Sequence, residues 1–285
     1  MAIRIVQSKQ NARVKELRAA LLHPERNGSS QFGLEGMNLL AEALRGPVEL
    51  QTVFVAQGHE SLLRNLHFQD STEIVALPFD LLASVVTTET PQPVAALAKP
   101  FDWTWRDLLE YNPHSGNATL VPLILVPLII VLSGIQDPGN LGAILRSAEA
   151  FGASGVVSLP GTVSPWNPKA MRASAGSVFR LPLVSASETE CFETLANAKV
   201  QTLAAMAHDA QPLGEVGLDK PLALVIGSEG AGLAPEIASQ CDARITIPCP
   251  GPVESLNAAV AASVLLYEAS RQRALASASK TQRRP

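Results

Sequence analysis

The sequence predicts an α/β protein built on a parallel sheet covered by helices. Short apolar runs rich in β-branched residues alternate with helix-like segments, which is typical of strands joined by helical crossovers. The run PLIIVLSGI (127–135) is apolar almost throughout, as expected of a strand buried on both faces. With 285 residues, 47% of them hydrophobic, the chain is long enough for two domains that each bury a core.

The first 97 residues predict a small α/β domain. Ser8 is a candidate N-cap for the first helix, in which Val14, Leu17 and Leu21 fall near helical spacing. The segment GLEGMNLLAEAL opens at a turn and runs into the second helix. Strands are predicted over 3–6, 48–56 and 73–78, and helices over 8–22, 33–44, 60–66 and 79–86.

The periodic pattern breaks after residue 97. Prolines, a glycine and two tryptophans follow without periodicity, which predicts an interdomain linker over 98–126. The apolar stretch LVPLILVPLIIVL (120–132) is shorter than the roughly 20 residues of a membrane-spanning helix, and it contains two prolines. Its second half is therefore interpreted as a buried strand, and no membrane span is predicted.

Strand–helix alternation resumes at residue 127 and predicts a second domain over 127–275, followed by a basic tail over 276–285. A short helix is expected between 164 and 177, after a loop. The other strands are predicted over 154–159, 180–186, 200–207, 221–229 and 243–249, and the other helices over 140–151, 188–198 and 255–273.

The charge is distributed unevenly along the chain. The formal net charge is −4, yet residues 1–30 hold six basic and two acidic side chains, and residues 271–285 hold five basic and no acidic ones. Two basic ends on an acidic body are compatible with contacts to RNA phosphates, and equally with solvated termini.

Cys191, Cys241 and Cys249 do not form a CxxC pair, and no histidine lies beside them at ligand spacing. Free thiols in a reducing cytoplasm are therefore predicted, with no metal site. The first residues do not resemble a signal peptide, which also favours a cytoplasmic protein.

The first candidate site segment is GIQDPGNLGAILRSAEAFGA (134–153). A tight turn from Asp137 to Asn140 leads from a buried strand into a helix, and ligands of parallel sheets bind at such strand ends. Arg146 lies six residues after Asn140, about 1.7 helical turns on, so both side chains reach one region only if Asn140 is in the loop. The segment lacks the GxGxxG fingerprint, and an ordinary strand–turn–helix with a solvated arginine is the alternative.

The second segment is LVIGSEGAGL (224–233), in which a strand ends in a loop with three glycines. The glycines allow the backbone to approach a ligand closely, and Glu229 places a carboxylate among them. That carboxylate opposes a phosphate and favours a cationic or hydroxylated ligand. A plain surface loop is the alternative.

The third segment is ITIPCPGPVESLNAAVAASVLLYEASRQR (245–273). Three prolines stiffen the chain after a strand, and Ser255 or Asn257 caps the long helix that follows. Small residues from Ala258 to Ser263 permit close packing against another helix, in this subunit or a second one. The plainer interpretation is a capped amphipathic helix that packs on the sheet.

In this order and at these spacings, the three segments resemble the motifs of the SpoU (TrmH-like) family of RNA 2′-O-ribose methyltransferases, within the SPOUT superfamily. The resemblance covers about residues 130–273. SKQNARVKEL and FGLEGMNLLAEAL also resemble the small L30e-like substrate-binding domain of several members. One departure is Pro93, which follows Gln92 where relatives tend to have glycine.

The resemblance implies a C-terminal trefoil knot, which the strand pattern does not predict, and S-adenosylmethionine bound bent within it. It implies a homodimer with the site near the subunit interface. The residues implied in binding the methyl donor, largely through backbone groups, are Ala205, Gly227, Gly230, Ile247, Pro248, Ser255, Leu256 and Asn257.

For catalysis, the resemblance assigns Arg146 to the ribose hydroxyl, either as a base or as an electrostatic stabiliser. Because arginine is a very weak acid, the stabilising role is favoured. Asn140 and Glu229 would position Arg146 or the ribose. The implied RNA contacts are Arg172 and Ser174 in MRASAGSVFRLP, together with Lys9, Asn11 and Lys15 of the first domain.

The expected substrate is structured RNA, with 23S rRNA favoured over tRNA because of the L30e-like domain. A non-catalytic RNA-binding protein is an alternative, and the intact Asn140, Arg146, Glu229 and Asn257 argue against it. A nucleotide-dependent oxidoreductase is opposed by the missing glycine fingerprint.

Overall fold

The computed structural model describes residues 3–22, 31–110, 126–253 and 255–281. The chain divides into two compact units. The first unit comprises Met1–Asp102 and Ser164–Arg180, and the second comprises Trp103–Val163 and Leu181–Pro285.

The first unit is built on a mixed five-stranded sheet. Its strands are β1 (Ile3–Ile5), β2 (Phe32–Glu35), β3 (Glu49–Ala56), β4 (Glu73–Leu77) and β5 (Val94–Lys99), and its first helices are α1 (Ala12–Leu22), α2 (Met37–Ala43) and α3 (Phe79–Ala83). The strand order is β1-β4-β3-β5-β2, in which β5 runs antiparallel to both of its neighbours. Residues 60–63 form a 3₁₀ helix.

The start of α1 differs from the sequence prediction. The Oδ1 atom of Asn11 accepts the backbone N–H of Arg13 at 3.0 Å, so Asn11 caps the helix. Ser8 instead accepts the N–H of Gln10 at 3.1 Å within the preceding turn. Ser8 is therefore not the N-cap, because the turn that it stabilises ends before the helix begins.

Two buried strands of this unit, β2 and β5, were not predicted. The segment 33–44 was predicted to open at a turn and run into a helix, and Pro91 and Pro93 obscured the strand after them. Gly33 explains why β2 can pack tightly under α1, because a Cβ atom there would lie 2.7 Å from Cγ of Leu21. The glycine that indicates a turn in the sequence thus permits a close strand–helix contact.

The second unit is built on a seven-stranded sheet whose neighbouring strands all pair in parallel, as the sequence predicts. The order is β10-β12-β9-β11-β6-β7-β8. The strands are β6 (Leu128–Leu132), β7 (Gly155–Ser158), β8 (Leu183–Ser185), β9 (Gln201–Ala205), β10 (Gln211–Pro212), β11 (Leu222–Ile226) and β12 (Ala243–Thr246).

The helices of the C-terminal two thirds are α4 (Trp105–Glu110), α5 (Pro138–Ala150), α6 (Pro168–Ser174), α7 (Glu188–Asn197), α8 (Pro235–Gln240) and α9 (Ala258–Thr281). Helix α8 was not predicted. Helix α9 begins three residues later than predicted and continues through residues 276–281 of the predicted tail. Helix α6 lies between β7 and β8 in sequence but belongs to the first unit by its contacts.

The predicted linker contains ordered structure. Helix α4 lies within it, and Leu108 is fully buried in the core of the second unit. Residues 111–125 lie outside the described part of the chain, together with the first half of the apolar stretch 120–132. The second half forms β6. Of the helices that the structure describes, none is both long and apolar enough to cross a membrane.

Strand positions explain where a site forms in the second unit. Strand β6 pairs with β7 on one side and with β11 on the other, so the strand order reverses at the β6–β11 pair. In a parallel sheet the carboxyl ends of all strands lie at one edge, and ligands bind where the order reverses. The chain segments that leave β6 and β11 therefore meet at this edge.

Candidate active site and methyl-donor pocket

The three candidate segments are joined by a chain of side-chain hydrogen bonds at this sheet edge. Asn140 donates through Nδ2 to Oε1 of Glu229 at 2.7 Å. Asn257 donates through its own Nδ2 to Oδ1 of Asn140 at 3.1 Å. Both ends of the Asn140 amide are thus used, and one residue from each segment takes part.

Two helix caps determine which groups donate and which accept in this series of hydrogen bonds. Asp137 accepts the backbone N–H of Asn140 at 2.8 Å and caps α5, with Pro138 in the first turn. Asn257 accepts the N–H of Ala259 at 2.9 Å through Oδ1 and caps α9. Because Oδ1 is used in the cap, Nδ2 of Asn257 is left to donate to Asn140. The structure thereby selects Asn257 over Ser255 as the cap.

The loop after β11 closes on itself. Ser228 and Gly232 exchange two backbone hydrogen bonds, of 3.1 and 3.0 Å, and Gly232 has a φ of +67°. A Cβ atom on Gly227 would lie 2.2 Å from the carbonyl carbon of Gly232, so the closed loop requires glycine there. Glu229 stands exposed on this loop with its carboxylate held by Asn140.

A pocket of about 760 Å³ opens beside the network. Apolar side chains such as Ile226, Ile247 and Leu265 line it together with exposed polar backbone of the glycine loop. Of the predicted donor-binding residues, those lining it are Ala205, Gly227, Gly230, Ile247, Pro248, Ser255 and Leu256. Asn257 is not among the lining residues, because its amide is committed to the cap of α9 and to Asn140.

This pocket suits S-adenosylmethionine. Its volume falls in the range of cofactor-sized sites, and its combination of apolar wall and backbone polar groups fits an adenine ring with a polar tail. The closed loop at Gly227 brings backbone N–H and C=O groups to the pocket wall without an intervening side chain.

Three ionisable residues of this pocket were not predicted from the sequence, His208, Asp209 and Arg244. His208 and Asp209 follow the carboxyl end of β9, which shares the sheet edge with β6 and β11, so their position was an available signal. Arg244 lies within β12 and had no such signal. Cys249 also lines the pocket and is exposed.

Arg146 lies on α5 but outside the hydrogen-bonded network. Its side chain is exposed and has no hydrogen bond or ion pair with the described residues. Six helical residues rotate its direction by roughly 120° from that of Asn140, so the two side chains leave different faces of α5. Next to it, the Ser147 and Ser263 hydroxyls are 2.7 Å apart and join α5 to α9.

The predicted RNA contacts are placed in the first unit. Lys9, Lys15 and Arg172 are exposed. Asn11 is half-buried and caps α1. Ser174 is fully buried, and its hydroxyl donates to the carbonyl of Met171 at 2.8 Å, so it cannot reach a nucleotide in this conformation.

Cys191 and Cys241 are not activated thiols. Burial raises the pKa of Cys191 to about 12 and that of Cys241 to about 11, so both are protonated at neutral pH. The described residues contain no group of three or more His, Cys, Asp or Glu side chains that could hold a metal ion.

Two family models match the chain. The SpoU rRNA methylase family model matches residues 127–267, and the MRM3-like substrate binding domain model matches residues 11–96. A 23S rRNA (guanosine(2553)-2′-O)-methyltransferase, RlmP, of Bacillus subtilis is 29% identical over 92% of this chain and 97% of its own length. An uncharacterised tRNA/rRNA methyltransferase of Synechocystis is 34% identical over 95% of both chains.

Solved structures agree with these matches. The SpoU methyltransferase AviRb from Streptomyces viridochromogenes, in complex with the cofactor AdoMet, has a TM-score of 0.79 at 27% identity and covers 93% of this chain. A crystal structure described as an RNA 2′-O ribose methyltransferase has a TM-score of 0.72 at 30% identity.

The chain belongs to the SpoU family of RNA methyltransferases. It is an enzyme that transfers a methyl group from S-adenosylmethionine to a ribose 2′-hydroxyl of RNA.

Proposed function

We propose that this enzyme methylates the 2′-hydroxyl of one nucleotide in structured 23S rRNA, in the cytoplasm. The observation that carries the proposal is the Glu229–Asn140–Asn257 chain, which joins the three motifs at the rim of a cofactor-sized pocket. The similarity to RlmP, whose name gives 23S rRNA as its substrate, supports this RNA over tRNA.

When bound, S-adenosylmethionine supplies an electrophilic methyl group on a positively charged sulfur. The ribose oxygen bonds to that methyl carbon as the carbon–sulfur bond breaks, and the hydroxyl proton is lost to solvent or to a nearby phosphate. The residues of this chain thus have to orient the hydroxyl and stabilise the negative charge that develops on its oxygen.

Arg146 fits that task better than the task of a base. A guanidinium group has several N–H donors and no acceptor, so it suits an alkoxide or a phosphate and is poorly suited to take up a proton. The side chain is exposed on α5 without an intramolecular partner among the described residues, which leaves those donors available to RNA. Asn140 and Glu229 hold the neighbouring loop ends and position the ribose.

The donor is proposed to bind bent in a C-terminal trefoil knot, held mainly by backbone groups of the loops at 205–207, 227–230, 247–251 and 255–258. Ala205, Gly230, Pro248, Ser255 and Leu256 line this volume. The bracing role of Asn257 is supported by its two kinds of hydrogen bond, one to the α9 backbone and one to Asn140.

A homodimer is part of the proposal. Val260, Tyr267 and Leu275 are 48%, 56% and 57% exposed, and they recur at spacings of seven and eight along α9. They therefore form an apolar stripe on one face of the helix. Such a stripe suits contact with a second copy of the chain.

The first unit is proposed as an L30e-like domain that binds the RNA. Lys9 and Lys15 are exposed at the start of the domain, where the charge is locally positive. Phosphate contacts of this kind set orientation without reading sequence.

The test is methyl transfer from labelled S-adenosylmethionine to purified 23S rRNA and to tRNA, both from a strain that lacks this protein. We expect label in 23S rRNA at one ribose, and a matching loss of that 2′-O-methyl group in the strain. If only tRNA is labelled, the substrate is tRNA and the proposed substrate is wrong. If the protein binds the donor but transfers no methyl group to either RNA, a non-catalytic RNA-binding protein is favoured.

A further inference from the structure

Residues 164–180 have an unexpected location for a segment of the methyltransferase sequence. They lie between β7 and β8 and within the match to the SpoU family model. Their contacts nevertheless place them in the first unit, with the strands and helices of residues 1–102. This segment, here called the docking segment, contains α6 and the exposed Arg172.

An aromatic stack forms one half of the attachment. Phe32 of β2 is fully buried and stacks on Trp166, with ring centroids 4.3 Å apart and an interplanar angle of 15°. Phe179, at the other end of the docking segment, lies 5.9 Å from Phe32 and is also buried. Three stacked rings from two parts of the chain exclude water and fix their relative position.

An ion pair and two close backbone approaches form the other half. Arg180 donates through Nη1 to Oε2 of Glu42 at 2.5 Å, and both side chains are about three-quarters buried. The other carboxylate oxygen of Glu42, Oε1, pairs with the more exposed Arg45 at 2.6 Å. Gly176, at a φ of +91°, leaves room for Glu42, since a Cβ there would lie 2.5 Å from the Glu42 Cβ. Gly46 leaves room in the same way for the carbonyl of Phe179, at 2.3 Å.

The attachment leaves one face of the docking segment open. Asn167 caps α6 by accepting the N–H of Lys169 at 2.9 Å, and Met171 is buried beneath the helix. Lys169 and Arg172, three residues apart, are exposed on its outer surface. The guanidinium of Arg172, on a rigidly held helix turn, suits a phosphate or the edge of a nucleotide.

We propose that Glu42 and Trp166 of the first unit hold α6 in place and so set how Arg172 is presented to RNA, which makes them positioning residues for RNA binding. This inference rests on the proposed function, because it assigns the docking segment to RNA. It makes RNA binding depend on residues of the first unit that need not contact the RNA themselves.

The central variant is Glu42→Gln, which weakens the pair to Arg180 with little change in shape. We expect kcat/KM for RNA to fall about tenfold, as a small misplacement near the substrate does, while the Kd for S-adenosylmethionine stays within about twofold. Trp166→Ala should act in the same direction.

Glu73→Gln is the matched control. Glu73 also pairs with two arginines, Arg4 at 3.0 Å and Arg13 at 3.2 Å, and it is exposed to a similar extent in the same unit. It does not touch the docking segment, so its variant loses the same charge without releasing α6. We expect its RNA kinetics to stay within about twofold of the parent enzyme.

A double-mutant cycle separates positioning from general destabilisation. If Glu42 acts through Arg172, then Glu42→Gln should add little to Arg172→Ala, because the two changes remove one contribution. Full additivity of the two losses, or RNA kinetics of Glu42→Gln equal to those of Glu73→Gln, would overturn the proposal.

Hydrogen exchange distinguishes this inference from the proposed function. We expect the amides of residues 164–180 to exchange about tenfold faster in Glu42→Gln than in Glu73→Gln. If no RNA is methylated but this exchange difference is found, the proposed substrate fails and the positioning of the segment by the first unit stands. Equal exchange in the two variants refutes the inference whatever the activity.

Discussion

Asn140 is the residue on which the site depends at the smallest scale. Its amide nitrogen and oxygen each hold a side chain from another segment, and its backbone N–H is held by Asp137. The Glu229 carboxylate, the Asn140 amide and the Asn257 amide are thereby held next to one another in that order. Removing Asn140 would leave the carboxylate of Glu229 without a described partner. It would also leave Nδ2 of Asn257, the residue that caps α9, without its acceptor.

Arg146→Ala tests the catalytic assignment. We expect kcat to fall by about 10² to 10³, the usual effect of losing one donor to a developing oxyanion, with the Kd for S-adenosylmethionine unchanged. Calorimetry with the donor and single-turnover methylation measure the two quantities. Arg106→Ala, at an exposed arginine paired with Glu110, is the control and should leave both unchanged. Undiminished turnover in Arg146→Ala would refute the role.

Gly227→Ala tests the closed loop of the donor pocket. The added methyl group would meet Gly232 at 2.2 Å, so the loop must open and the pocket wall must shift. We expect donor affinity to fall by about 10² and unfolding free energy by about 1–3 kcal/mol. Gly214→Ala is the control, because a Cβ there has no neighbour within 4 Å. Equal donor affinity in both variants would show that the loop does not shape the pocket.

At the scale of elements, the apolar strands of the second unit were the most predictable. Strands β6 and β11 are buried at every position, so continuous apolar runs identified them. The sequence indicates which residue types can cap a helix, but it does not decide which of two such residues caps α9. Asn257 and Ser255 have equal propensity, and the choice depends on Asn140, which lies 117 residues away.

The elements that were missed have their causes in tertiary contacts. Strand β2 contains Gly33 because α1 packs against it, and β5 follows two prolines. The docking segment was predicted with the second domain because sequence order places it there, whereas Phe32 and Glu42 hold it in the first unit. Neither contact has a local sequence signal.

Arg273 anchors the long helix α9. Its guanidinium donates to the carbonyls of Leu218 at 3.0 Å, Pro127 at 3.0 Å and Lys220 at 2.7 Å, and also to that of Val126. Burial lowers the pKa of Arg273 to about 10, so the group remains charged at neutral pH and its bonds are charge-assisted. The helix is thereby fixed to the segments that precede β6 and β11.

Arg273→Ala should therefore destabilise the protein by roughly 3 kcal/mol, because four carbonyls, three of them in part-buried hydrogen bonds, lose a charged donor. Arg271→Ala is the control on the same helix. Arg271 is 47% exposed and pairs with Glu268 one turn away, so its loss should cost much less stability than the loss of Arg273. Urea unfolding of the three proteins measures the difference, and equal losses in the two variants would contradict the anchoring role.

At the scale of the whole molecule, the open question for catalysis is how Arg146 meets the network of Asn140 and Glu229. Arg146 leaves a different face of α5 and has no described partner within the chain. Ser147 and Ser263 join α5 to α9, so the exposed stripe of α9 and Arg146 belong to one pair of packed helices. A second copy seated on this pair would enclose Arg146 at the interface.

Tyr267→Glu tests this arrangement, because it places a charge in the centre of the proposed interface. Tyr267 is 56% exposed, and its ring makes only an edge contact with Phe151 at 5.8 Å, so the fold should tolerate the change. We expect light scattering to give twice the chain mass for the parent protein and the single chain mass for the variant. Methyl transfer should fall with dimer content, by about the 10² expected for Arg146→Ala.

Leu62→Glu, at another exposed apolar residue, is the control and should remain dimeric and active. A monomeric parent protein would exclude the dimer, and a dimeric Tyr267→Glu would exclude this face as its interface. A monomeric variant with full activity would show that Arg146 reaches the ribose within one chain. If activity instead returns at protein concentrations that restore the dimer, Arg146 acts at the interface. A higher concentration favours the dimer by mass action and raises turnover without any change in the site.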